Sequence, residues 1–167
     1  MQQQLASTGT PGSAAARTGP GEDAAEVFLT LTVADTLCGV PVLAVRDVIT
    51  AQALTRIPLA PEEVAGSLNL RGRIVTAIDL RRRLSLPARE AGATAAGMSV
   101  VVERDGELYS LLVDQVGEVV PLPAGGRAAK PPTLDPLWRE VAAGVHRLDD
   151  RLVILLDVER VLAIAAA

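Results

Sequence analysis

Apolar strands joined by two-residue turns recur along this chain, and that pattern confines it to an antiparallel β architecture. Ser99 to Arg104 runs into Asp105-Gly106 and returns through Glu107 to Asp114. Asp-Gly between apolar strands is a strong local hairpin signal, because both central residues take positive φ. Phe28 to Val33 alternates, turns at Ala34-Asp35-Thr36 and returns through Leu37 to Val45. Gly66 to Ile78 folds back at Arg71-Gly72, and Val145 to Leu148 folds back at Asp149-Asp150 toward Leu156. Hairpins in series with few long helical patterns predict an all-β barrel or sandwich.

A weak repeat runs through these hairpins. Four segments pair an apolar strand with an aspartate: Val42 to Asp47, Ile74 to Asp79, Leu111 to Asp114 and Val153 to Asp157. A carboxylate at a strand end can accept from free backbone N–H groups, so turn and capping roles are expected for all four rather than a shared metal. Two copies fall on each side of the loop from Leu86 to Gly97. The expectation is two small β-barrel subdomains sharing a core, one over about 26–90 and the other over about 91–165. Each alone would be marginal in size. Short helices are expected at Pro61 to Ala65, at Asp79 to Leu84 and at Asp157 to Ile164, the last packed back on a barrel. Leu122 to Leu134 reads as a connection with little structure of its own. Pro41 puts the second strand at an edge or a bulge. Residues 1–25 are rich in Gln, Ala, Gly, Ser and Thr, have little to bury, and are expected to be a disordered tail.

Composition narrows the chemistry. Hydrophobic residues make up 49% of the 167, yet Phe28, Tyr109 and Trp138 are the only aromatics, so the core must be aliphatic. Few aromatics and a net charge of −4 disfavour a nucleic-acid-binding barrel. Arg81-Arg82-Arg83 reads as a solvated basic face. The single cysteine, Cys38, sits among apolar residues and is expected to be a core thiol in a reducing compartment. The only histidine, His146, has no partner in the pattern for acid–base work, so a hydrogen-bonded structural role is expected. No nucleophile, metal-ligand spacing or phosphate loop stands out, so neither catalysis nor a cofactor is expected. No basic start followed by an apolar stretch marks a signal peptide, and the location expected is cytoplasmic.

In order along the chain, these segments resemble the CheW family of bacterial chemotaxis coupling proteins. Phe28-Leu-Thr-Leu, Val45-Arg-Asp-Val, Gly66-Ser-Leu-Asn-Leu-Arg-Gly72, Ile78-Asp-Leu-Arg81, Val113 to Val119 and Asp150 to Asp157 carry the likeness, which spans Glu26 to Leu162. The resemblance implies two five-stranded SH3-like barrels with short helices, one at the C-terminus. It also implies a non-enzymatic adaptor recruited to membrane-associated arrays without entering the membrane. Its implied partners are the cytoplasmic helical tip of chemoreceptors and the regulatory domain of the histidine kinase CheA, and nucleic acid is not among them. A coupling protein of a non-flagellar chemosensory pathway is the alternative within the family. The family's receptor groove would fall on Val45, Arg71, Val116 and Val119, with Asp47 beside them. Ile49 and Ile57 are candidate kinase contacts, on the expectation that exposed apolar residues lie near them. The departures are the long tail, Pro41, and Cys38 where an aromatic is common.

Overall fold

A computed structural model describes residues 25–50, 52–87 and 97–164. The tail expected over 1–25 falls, except for Ala25, outside the described residues. Eleven strands fill two sheets: β1 (Ala25–Val33), β2 (Thr36–Pro41), β3 (Val45–Thr50), β4 (Val64–Leu70), β5 (Arg73–Asp79), β6 (Met98–Arg104), β7 (Glu107–Val113), β8 (Gln115–Pro123), β9 (Arg127–Ala128), β10 (Ala142–Leu148) and β11 (Arg151–Leu156). Three short α-helices accompany them among the described residues: α1 (Leu80–Arg83), α2 (Pro136–Val141) and α3 (Val158–Val161).

All four expected hairpins form. A residue in left-handed backbone conformation opens each turn: Ala34 (followed by Asp35), Arg71, Asp105 and Asp149. These φ values match the turn twist to that of the strands. The first turn is Ala34-Asp35 alone, since Thr36 already pairs with Val33.

One sheet has the order β3-β6-β7-β5-β4 and the other β8-β1-β2-β11-β10-β9. Each is closed by a bent segment that pairs with both edges. In the first barrel, the chain leaving β3 reaches Thr55, whose N–H and C=O exchange 2.8 Å hydrogen bonds with Ser67 of β4. In the second, β8 pairs with β1 and its continuation β9 pairs with β10. Closure leaves few open edges for another chain to extend.

Strand for strand, the two orders correspond. Antiparallel hairpins flank one parallel contact in each sheet, β5 with β7 and β11 with β2. The irregularities match as well. The β3 register shifts between Val45 and Asp47 against β6, and the β1–β8 register shifts between Leu29 and Leu31. The β4 register shifts between Val64 and Gly66, and the β10 register between Ala142 and Gly144. Val45 therefore corresponds to Val116, Asp47 to Glu118, Arg71 to Asp149 and Asp79 to Asp157. Of the four aspartate segments read as a repeat, only those ending at Asp79 and Asp157 are related by this structural two-fold; Asp47 matches Glu118, and Asp114 matches Leu43.

The sheets do not divide the chain near residue 90, however. The first barrel is built from the consecutive strands β3 to β7, and the second combines β1 and β2 with β8 to β11. Neighbouring hairpins usually pack together, which favours a split into halves. Here the first hairpin lies between β8 and β11 instead. The chain crosses between barrels twice, at a 3-10 turn over Val42–Ala44 and at Asp114.

The largest hydrophobic cluster joins both barrels, from Leu29, Leu31 and Val40 to Ile78, Val100, Leu111, Trp138 and Leu156. Smaller clusters belong to one barrel each: Phe28, Leu122, Val153 and Leu155 in one, Leu68, Val75 and Ala77 in the other. Cys38 is fully buried in the shared cluster, and burial pushes its thiol from 9.0 up to about 12.

Other expectations need correction. Pro61 to Ala65 forms a turn and then enters β4 rather than a helix. Leu122 to Leu134 includes the end of β8 and all of β9, which close a barrel. Pro41 is the last residue of β2, a strand flanked on both sides, where its missing N–H ends pairing. Only Arg82 of the arginine run is solvated. Arg83 is buried and donates to the Val161 and Arg160 carbonyls, both at 3.0 Å. Arg81 makes a two-pronged contact with Asp114, Nε to Oδ1 at 3.1 Å and Nη2 to Oδ2 at 2.7 Å.

Candidate protein-docking surface

The four aspartates stay apart, each in a local role. Asp79 accepts from the Arg81 and Arg82 N–H groups and caps α1; Asp157 accepts from the Arg160 N–H and caps α3. Asp114 accepts from the Ala34 N–H at 2.7 Å and from Arg81, tying a turn of one barrel to a helix beside the other. The contact with Asp114 raises the Arg81 pKa further, by its hydrogen bond above all, so the guanidinium stays charged. Asp47 accepts from the Val48 N–H at 2.9 Å and faces Arg71.

Arg71 stands at the β4–β5 turn with φ +51, which lifts its side chain off the sheet, 75% exposed. Asn69 fixes that turn by accepting from the Gly72 N–H at 2.9 Å. Arg71 Nη2 lies 3.0 Å from Asp47 Oδ2 on β3, so the pair bridges the two edges of its barrel. Asp47 Oδ2 has no hydrogen-bond partner, so the contact is an ion pair without the alignment of a hydrogen bond. With one partner so exposed, it adds little stability and leaves the guanidinium available. Arg46, also on β3, donates to Glu103 at 2.8 Å and holds that carboxyl below its usual range.

Of the valines, Val45 and Val116 lie half-buried against the shared cluster at corresponding positions of β3 and β8. Val119 is 54% exposed. The structure thus brings Asp47 and Arg71 into contact and places Val45 and Val116 on related strands beside the seam.

The candidate kinase contacts separate. Ile49 is half-buried against the Leu68 cluster and is not a free apolar surface, contrary to expectation, because β3 turns that side chain toward its own barrel. Ile57 is exposed and lines a cleft of ≈740 Å³ with Leu54, Pro58, Leu59 and Arg82. Leu59 was not singled out from sequence. It is fully exposed and held at φ +63, an uncommon conformation for a leucine. Pro58 before it and Pro61 after it were the only visible hints. Leu43 on the first crossing is 87% exposed and was also missed.

The described residues include no group of three or more His, Cys, Asp or Glu side chains placed to hold a metal, and no helix long and apolar enough to cross a membrane. His146 is buried, with Nδ1 2.9 Å from the Arg147 carbonyl and Nε2 2.8 Å from the Pro123 carbonyl. It bridges β10 to the end of β8, the structural role expected. The features left to act are an arginine knuckle, valines beside a seam and exposed leucines, which suit a surface for another protein.

The family model for the CheW-like domain matches residues 27–166. The chemotaxis protein CheW of Klebsiella aerogenes is 31% identical over 144 residues, covering 86% of this chain and 85% of that protein. CheW of Helicobacter pylori is 27% identical over 143 residues, covering 84% and 85%. Among solved structures, the scaffolding protein TtCheW of Thermoanaerobacter tengcongensis superposes with a TM-score of 0.74 at 27% identity, covering 86% of this chain and 96% of that one.

Proposed function

Because the chain belongs to the CheW family, we propose that it is a non-enzymatic adaptor that couples chemoreceptors to the histidine kinase CheA. The observation that carries this reading is the Arg71 knuckle: an exposed guanidinium, raised on a left-handed turn and latched to Asp47 by a weak ion pair. Arginine in such a setting can exchange an intramolecular carboxylate for a partner's carboxylate or carbonyl at small cost. Val45, Val116 and Val119 supply the apolar surface a helix face needs. The receptor's cytoplasmic helical tip then lies along β3 and β8, with Arg71 at the rim. Ile57 and Leu59, on a separate face of the first barrel, supply the kinase contact. The protein works in the cytoplasm, at arrays that form under the membrane.

Arg71→Glu is the direct test. It removes the guanidinium, sets a second carboxylate beside Asp47 and repels an acidic partner. The expected outcome is a folded protein whose affinity for a chemoreceptor tip fragment falls by about 1–4 kcal/mol. Kinase stimulation in a reconstituted receptor–CheA mixture should fall with it. A folded Arg71→Glu protein with unchanged receptor affinity and kinase stimulation would remove the knuckle from the interface.

A further inference from the structure

The two-fold that relates the barrels poses a problem for any helix lying along β3 and β8. Val45 and Val116 occupy corresponding positions, so that pair contributes nearly the same whichever way the helix runs; only Val119, whose counterpart Val48 is half-buried, differs. Charge adds a sharper distinction, because the charges are not related by the two-fold.

At the β3 end the carboxylates are matched: Arg46 of β3 pairs with Glu103 of β6 at 2.8 Å, and Arg71 of the β4–β5 turn with Asp47 of β3 at 3.0 Å. On β8 the position of Arg46 is taken by Gly117, which lies so close to Thr30 that an added Cβ would stand 2.6 Å from its hydroxyl oxygen. The position of Arg71 is taken by Asp149, which cannot neutralise a carboxylate. Glu118, the counterpart of Asp47, is exposed. Its backbone carbonyl accepts from the Thr30 hydroxyl at 2.7 Å, but its carboxylate has no partner among the described residues. One end of the surface is therefore neutral and the other carries an uncompensated negative charge next to the exposed Val119.

We propose that Glu118 sets the direction of the partner helix by taking a lysine or arginine of that helix. This rests on the adaptor reading above and deepens it by naming the partner's chemistry. A helix laid in the correct sense brings its basic side chain over β8. Laid in reverse, it brings that side chain to the β3 end, where Arg46 and Arg71 already neutralise the carboxylates and leave it no unpaired acid to meet. Opposed charges select register and partner at a rim in this way, more than they add bulk affinity.

The experiment measures binding of a chemoreceptor tip fragment, a helical hairpin, by calorimetry at low and high salt. The proteins are wild type, Glu118→Gln, Glu118→Lys and Val119→Asp, each checked by thermal melting; both sites are exposed, so the folds should survive. Glu118→Gln is expected to weaken binding about threefold and flatten its salt dependence, and Glu118→Lys to weaken it about tenfold or more. Val119→Asp should weaken it strongly, since it introduces a charge into the apolar contact. Wild-type affinity for Glu118→Lys alongside a weakened Val119→Asp would overturn the direction rule and leave the adaptor surface standing. Wild-type affinity for both would overturn the surface and the rule together. Loss in Glu118→Lys alone would put the carboxylate in a different interface, and that also overturns the rule.

Discussion

Two crossings join the barrels, and they are secured differently. At Asp114 the chain is pinned: the carboxylate accepts from the Ala34 N–H and from two nitrogens of Arg81, and Arg81 also donates to the Pro87 carbonyl at 2.6 Å. At the matching crossing the corresponding residues are Leu43, 87% exposed, and Glu159, which turns away to Arg104 at 3.1 Å. A duplicated framework has thus kept its hydrogen-bond ladders and bulges while diverging at its joints. Backbone pairing tolerates almost any apolar sequence, but a polar joint needs both partners at once, so such joints are where related halves drift apart.

The comparison can be broken most severely at the private cores. Phe28→Ala empties the centre of the Leu155 cluster and should cost about 3–5 kcal/mol in urea unfolding. Because the large cluster spans both barrels, a single cooperative transition is expected for this variant. Two separated transitions would show that the barrels are independent.

Next come the paired bulge glycines. Gly66 has φ +151, and a Cβ there would lie 2.6 Å from the Thr55 carbonyl oxygen, in the segment that closes the barrel. At Gly144 the nearest atom would be 3.6 Å away. Gly66→Ala should cost about 2–3 kcal/mol and Gly144→Ala under about 1 kcal/mol. Equal losses in a pair of thermal melts would mean that barrel closure is no tighter at one glycine than at the other.

The joints themselves give a smaller contrast. Arg81→Ala leaves Asp114 part-buried with two donors fewer and should cost about 1–2 kcal/mol. Glu159→Gln breaks only an exposed pair and should stay within about 0.5 kcal/mol. A double-mutant cycle of Arg81 with Asp114 that gave no coupling energy would refute the staple.

The weakest contrast is in alkali. Cys38 and Tyr109 occupy corresponding positions on β2 and β7, and burial raises the pKa of both. A raised folded pKa contributes stability that is complete below the unfolded value and is lost as pH rises toward the folded one. Stability should therefore begin to fall near pH 9.0 from Cys38 and continue toward about 12, with Tyr109 adding its loss above its ordinary 10.0. In urea titrations at stepped pH, Cys38→Ala should remove the earlier part of that decline.

The hairpins were legible because their signals are local: Asp105-Gly106 and Arg71-Gly72 announce positive φ in two adjacent letters. The caps at Asp79 and Asp157 were legible for the same reason. What sequence could not show was which hairpin lies beside which, because β1 reaches β8 through pairings more than half the chain's length apart in places, such as Ala25 with Pro123. Nor could it show the inward turn of Ile49, since alternation leaves a strand's two faces interchangeable until the sheet is placed. Arg83 misled for a related reason. Within three consecutive arginines, only the packing of α1 against α3 decides which one is buried to satisfy helix-end carbonyls. At the candidate surface, Arg71 was visible as a turn residue, and its pairing with Asp47 was not, because the two meet only when the barrel closes.

Strands β3 to β7, consecutive in the chain, form an insert within a host barrel, and this makes the protein divisible in a useful way. A chimera joined at 42–44 and at 114 would carry Asp47 and Arg71 from one parent and Val116, Glu118 and Val119 from the other. Recombining two relatives at those joints would show, on the adaptor reading proposed above, which parent's half dictates the choice of receptor.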